Sequence, residues 1–342
     1  MGTVGTKRER WIDYMKAVAC LSVLTFHVIY GLQNANMECG PVLTTVKEIC
    51  GIFQIPAFMF ASGYLFGKRK MGNYFKFEGR KLLNLGVPYI VFTVLYYVIN
   101  VTFSSSVNFT YEIQDLIDIY KTPLAQYWYI FATILIFLFL PILEQIIQNE
   151  LVLFGFLLTW KMVNAYWLSV TNYDYFFSQY ACYFYLGVLY ARHHEVFSLK
   201  KETPRSLLSV LMIFIAVYVS RRYYDWGISY TVVEFFLEFI SIYLFAAFFE
   251  CYAERMKNRF LNIVGKYSFQ IYLMHTMVTA AVRIVLSKAG IVSQWPQFFL
   301  GWILGLGVTV GVSWICEKTI LLNIVFFPER TVKQWKKKVS NS

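Results

Sequence analysis

Apolar residues along this chain come in blocks long enough to cross a bilayer, separated by short polar stretches that carry most of the charge. Near-continuous apolar runs of about 17–25 residues are what a membrane-spanning helix requires. Ten such blocks are read at 11–32, 42–66, 82–103, 126–147, 150–168, 175–192, 207–224, 230–252, 263–287 and 297–322. No period-two alternation suggests a β-barrel. The pattern predicts an all-α, polytopic integral membrane protein with about ten transmembrane helices. No polar stretch has the length of a soluble domain, so residues 1–342 are read as one transmembrane domain. Lys16 interrupts the first block and no small-residue cleavage signal follows, which favours a retained helix over a signal peptide.

Composition strengthens this reading. With 58% hydrophobic, 20% aromatic and only 15% charged residues, the chain has more apolar surface than a soluble core of its length would bury. The formal net charge of +11 is distributed by topology rather than as a nucleic-acid patch. If the N-terminus is cytoplasmic, the inner side receives Arg8, Arg10, Lys68 to Lys70, Lys76, Arg80, Lys81, Arg192, Lys200, Lys201, Arg205, Arg255, Arg259, Lys266 and Lys318, with Lys336 to Lys338 in the tail. The outer side receives Lys47, Lys121, Lys161, Arg221, Arg222 and Lys288. The positive-inside rule then puts both termini in the cytoplasm. Lys333 to Lys338 are also suited to anionic lipid headgroups. Four cysteines (Cys20, Cys182, Cys251, Cys316) fall within blocks and read as small buried residues, whereas Cys39 and Cys50 lie in or near the first outer loop, where pairing is open. No cluster has metal-ligand spacing, so no metal site is expected, and no glycine-rich nucleotide fingerprint occurs.

Candidate chemistry gathers in the first block. Lys16 and His27 are eleven positions apart, about three helical turns or 16 Å, and so share a face, with Asp13 on the same stripe. Ionisable groups in a spanning segment are costly and usually face a bundle interior or a water-filled cavity. Individually, Lys16 reads equally well as a snorkelling residue and His27 as an interhelical hydrogen bond. Together they suggest a cavity for a long anionic ligand, held at Lys16 and acted on at His27. After the second block, Lys68, Arg69, Lys70, Lys76, Arg80 and Lys81 form either a stop-transfer cluster or a phosphate site; Arg80 and Lys81 open a helix, and arginine grips phosphate bidentately. In the ninth block Tyr272 and His275 are three apart, hence on one face, with Arg283 two turns on; a structural role is as open as a catalytic one. Glu234 and Glu238 are an i,i+4 pair that suits a proton site, an acceptor rim or plain hydration. Tyr127, Trp128 and Tyr129 read as an interfacial aromatic belt, Asp115, Asp118 and Asp174 as solvated loop residues. Arg221, Arg222 and Asp225 sit where they could contact an acceptor.

At these positions the chain resembles the acyltransferase 3 family of polytopic membrane acyltransferases. The resemblance spans the whole length. It rests on Trp11, Asp13 and Lys16 followed by His27; on Pro56 through Ser62-Gly63-Tyr64; on Arg80-Lys81 through Pro88-Tyr89; on Tyr183 to Gly187; on Tyr267-Ser268 to His275; and on Cys316-Glu317-Lys318. The short ending at Phe326 to Arg330 is most similar to the fucose 4-O-acetylase-like surface-polysaccharide O-acetyltransferases. Lys16 stands where many members carry arginine, and Lys76, Arg80 and Lys81 replace the usual pair of arginines three apart.

The resemblance implies an acyl-CoA-dependent O-acyltransferase, with acetyl-CoA as donor substrate and no prosthetic group, acting on a surface polysaccharide or lipid-linked sugar at a bacterial plasma membrane. On this expectation the CoA phosphates meet Lys16, Arg80, Lys81 and Lys76, and His27 is the general base. Asp13 holds Lys16, while Tyr64, Tyr272 or His275 orients the base or polarises the thioester. A transporter or exporter of polysaccharide or lipid-linked sugar is the alternative, although no repeat pairing and no matched interrupted helices support it. A scaffold subunit would leave the Lys16–His27 face without a role.

Overall fold

A computed structural model of the chain is helical throughout its described residues. The structure describes residues 9–68, 74–104, 109–166, 171–227, 230–328 and 331, with the side chains at 74–78, 80 and 320–322 outside that description. The long helices are α1 (Arg10–Asn34), α2 (Pro41–Gly67), α3 (Tyr74–Thr102), α5 (Trp128–Ile146), α6 (Glu150–Tyr166), α7 (Asn172–Arg192), α9 (Pro204–Tyr223), α10 (Tyr230–Met256), α11 (Arg259–Lys288) and α12 (Gln294–Lys318). Short helices lie between and after them: α4 (Ile113–Ile117), α8 (His194–Phe197) and α13 (Ile320–Phe326).

Each apolar block coincides with one long helix. Among the described residues, eight helical segments are long and apolar enough to cross a membrane: α1, α2, Lys81–Thr102 of α3, Ile113–Ile146 including α5, and α9 to α12. The other two differ for physical reasons. At 17 residues α6 is short, and α7 mixes Asn172, Asp174, Gln179 and several tyrosines into its sequence, while the face that the bundle buries, from Phe177 through Ala191, is mostly small or apolar. On α3, α9 and α12 large apolar side chains such as Leu95, Met212 and Ile303 are exposed, as lipid-facing surfaces must be.

Helix α1 runs through the centre, against α2, α10, α11 and α12. Glycines permit the closest crossings, as small residues do where helices associate without a hydrophobic driving force. A Cβ on Gly63 of α2 would sit 1.7 Å from the Phe184 carbonyl oxygen of α7, and one on Gly187 2.1 Å from the Phe60 carbonyl oxygen. A Cβ on Gly265 of α11 would sit 2.5 Å from the Asp13 carbonyl oxygen of α1. At the end of the bundle where α1 begins, Arg10 pairs with Glu254 (2.6 Å) and Lys266 with Glu317 (2.6 Å); this is the basic end. At the opposite end the Gly40 amide donates to Gln294 Oε1 (2.7 Å) and Arg222 pairs with Glu48 (2.7 Å).

Several loop expectations are corrected. The connection from α3 to α5 folds back into the bundle: Tyr89 of α3 donates to the Ile119 carbonyl (2.5 Å), Tyr127 to that of Leu273 (3.1 Å), and Asn100 Nδ2 to that of Phe109 (2.7 Å). Tyr127 and Tyr129 are therefore buried and form no interfacial belt. Lys161 is no loop cation; it lies buried in α6, 3.7 Å from Glu238, which also accepts a hydrogen bond from Tyr183. Glu234 pairs with Arg221 at 3.0 Å. Cys39 and Cys50 are free thiols, the latter within α2.

Candidate active site

The parallel crossing of α1 and α11 brings His27 and His275 together. Asp13 meets Gly265, the Cys20 thiol lies 3.7 Å from the Ser268 carbonyl, and the two imidazole centroids are 5.0 Å apart with planes at 59°. Because the helices keep step, three crossing points in register lead to the ring pair.

The two histidines differ in accessibility. His275 is fully buried, and its Nδ1 lies 2.8 Å from the Tyr272 carbonyl oxygen and 3.1 Å from that of Ile271. A carbonyl only accepts, so Nδ1 carries the proton and Nε2 holds the lone pair. That Nε2 has no hydrogen-bond partner among the described residues. His27 instead lines a cavity of about 920 Å³ that reaches toward the end opposite the basic one. Its walls include Phe26, Tyr96, Tyr111, Trp128 and Tyr272, with Gln54, Asn100, Gln126, Gln297 and Arg283 as polar elements. The arrangement offers one cavity-facing imidazole backed by a second that is locked in a single tautomer.

The basic end holds a different group. Lys16 Nζ pairs with Asp13 Oδ1 at 2.8 Å, but neither residue lines the large cavity. Lys81 lines a smaller cavity of about 160 Å³ with Ser62, Phe66, Tyr129 and Phe137, and its ammonium lies 4.9 Å from the Phe137 ring centre. Lys76 and Arg80 fall in the first turns of α3, with side chains outside the described residues. Tyr64 departs from expectation: its hydroxyl donates to Glu9, which also takes Trp11 Nε1 (3.0 Å) and Lys68 Nζ (3.2 Å). Burial pushes the Glu9 carboxyl up, but the hydrogen bonds from Tyr64, Lys68 and Trp11 outweigh it and hold the group below the usual carboxylate range. Since Glu9 precedes α1, Tyr64 belongs to the basic mouth and cannot orient His27.

Sequence reasoning missed Tyr129. It lines the small cavity, Tyr272 lines the large one, and their ring centres are 5.3 Å apart. Tyr272 donates to the Gln126 carbonyl and so is held in place. The pair forms a partition between the Lys81 and His27 compartments. No spacing along the chain signals it, because the two tyrosines sit on helices far apart in sequence.

Comparison with known proteins bears on this layout. No curated protein and no solved structure matches the chain. A family model described as an acyltransferase domain, that of the acyltransferase 3 family, matches residues 9–318, which contain both histidines, both cavities and the partition. The chain therefore belongs to the acyltransferase 3 family and is a membrane-bound acyltransferase, working between an acyl donor and an acceptor.

Proposed function

We propose that the protein moves an acetyl or similar short acyl group from cytoplasmic acyl-CoA to a hydroxyl of a surface polysaccharide or lipid-linked sugar, with His27 as general base. The observation that carries this reading is the cavity-facing His27 backed by His275. In this reading the basic end is cytoplasmic, in keeping with the positive-inside rule, and the large cavity receives the acceptor from the other side. The membrane is the bacterial plasma membrane, as expected for an enzyme that acylates a cell-surface glycan.

The chemistry follows from the arrangement. Nε2 of His275 is suited to accept an N–H from His27 after a small ring rotation, which would leave the other His27 nitrogen with its lone pair toward the cavity. That nitrogen takes the proton as the acceptor oxygen attacks the thioester carbonyl. The C–S bond breaks, and the imidazolium returns the proton to the departing CoA sulfur. General-base assistance of this kind is worth about 10²–10⁴-fold. Lys81 and Lys16, steadied by Asp13, face the CoA phosphates, together with Lys76 and Arg80. The thioester reaches His27 past Tyr129 and Tyr272. Tyr272 borders the reacting centre and orients the acceptor.

The test is transfer of radiolabel from acetyl-CoA to a crude glycan mixture by detergent-purified protein, wild type beside His27→Ala. Label entering glycan only with the wild type is expected. Equal labelling by a folded His27→Ala variant would overturn the assignment.

A further inference from the structure

The acceptor cavity carries an unbalanced charge inventory. Its lining contains two cations, Arg283 and Lys288, and no aspartate or glutamate among the described residues. Arg283 is only 9% exposed and lies within electrostatic reach of the Tyr96 hydroxyl, whereas Lys288 is exposed at the end of α11. The cavity is thus positive both within and at its rim, with amides (Gln54, Gln297) and aromatic faces between. Guanidinium stays charged at any physiological pH and carries five donors in a fixed fork, more than one partner uses. On α11, Arg283 is eight residues beyond His275, about 12 Å along the helix axis. His27 and Arg283 line the same cavity, so one extended ligand can meet both.

We infer that the cavity is built for an anionic acceptor: a saccharide bearing a carboxylate or phosphate group that Arg283 grips, with Lys288 drawing it in, while the hydroxyl to be acylated lies at His27. The inference rests on the proposed acyl transfer for the identity of the reacting end. The recognising chemistry, a planar fork of donors opposite an oxyanion, is what arginine supplies best. The surrounding aromatics would stack on sugar faces.

Binding to the detergent-purified full chain, read by tryptophan fluorescence, tests it. The probes are a glucuronate-containing tetrasaccharide, the same tetrasaccharide after carboxyl reduction, and glucose 1-phosphate beside glucose. The wild type is expected to bind at least one charged probe about tenfold or more tightly than its neutral counterpart, with the advantage shrinking as salt rises. A preference within the tetrasaccharide pair assigns the anion to a sugar carboxylate, and one within the glucose pair assigns it to a phosphate linkage. Arg283→Gln should erase the charge preference, and Arg283→Lys should restore part of it. If Arg283→Gln does not fold, the wild-type pairs and Lys288→Gln, expected to weaken charged probes alone by a few-fold, still decide. Equal wild-type binding of charged and neutral members in both pairs would overturn the inference. Because the readout is binding, that result leaves the catalytic reading standing. A charge-selective protein that turns over no acyl-CoA would overturn the catalytic reading instead.

Discussion

The two cavities of this bundle differ in almost every respect. The one beside His27 holds about 920 Å³, and the one beside Lys81 about 160 Å³. The large one is walled by residues from α1, α2, α3, α11, α12, the α3–α5 connection and the first residue of α5, Trp128, the small one by α2, α3, α5 and α11. Between them stand Tyr129 and Tyr272. An acyltransferase must admit two substrates and keep water from the thioester, and a roomy chamber beside a narrow, partitioned one suits that need. His27 lines the chamber, so on the proposed reading the donor is threaded toward the acceptor rather than the reverse.

The comparison can be broken or sharpened by substitution. The largest effect is expected from His27→Ala, which should lower transfer by about 10²–10⁴-fold while the protein stays monodisperse in detergent; initial rates with labelled donor measure it. Next comes His275→Gln. Losing the tautomer-locked partner should lower kcat by roughly tenfold or more and leave the KM for donor unchanged; a matching rise in donor KM would place His275 on the donor path instead. In the small cavity, Ser62→Trp should raise the donor KM by about tenfold, with the acceptor KM unmoved if the chambers are distinct. The smallest change is expected from Lys81→Ala, a few-fold rise in donor KM that fades as salt is raised.

A separate substitution tests the scaffold rather than the site. With its Cβ 1.7 Å from the Phe184 carbonyl oxygen, Gly63→Ala must push α2 from α7. Overpacking of this kind costs about 1–3 kcal/mol or more, visible as a lower thermal midpoint in detergent.

Much of the architecture was legible in the sequence, since apolar block length is a local property and each block became a helix. Helical periodicity also set Lys16 and His27 three turns apart along α1, but which of them borders a cavity was not legible: His27 lines the large one and Lys16 does not. Partners on other helices were not. His275 is 248 residues from His27, and the five-ångström approach of their rings depends on where α1 crosses α11. Tyr127 and Tyr129 read as an interfacial belt because a sequence does not reveal that the preceding connection folds inward. Tyr64 was one of three residues expected to orient His27 or polarise the thioester, yet α2 carries it to the basic end, where it donates to Glu9. The motif glycines Gly63, Gly187 and Gly265 have a plain physical reason: each lies where another backbone leaves no room for a Cβ.

The inward-folded connection between α3 and α5 has a consequence for how such an enzyme diversifies. It supplies Phe109, Tyr111, Ala125 and Gln126 to the wall of the large cavity, yet none of its described residues lines the Lys81 cavity. It is tied down through Tyr89, Asn100 and Tyr127. Grafting a different connection between those anchors would remodel the chamber, provided it kept the carbonyl at position 126 that holds Tyr272, and would leave the walls of the Lys81 cavity in place. The bundle thereby behaves as a chassis with one interchangeable wall, on which the shape of the large chamber can change without rebuilding the helices that carry the two histidines.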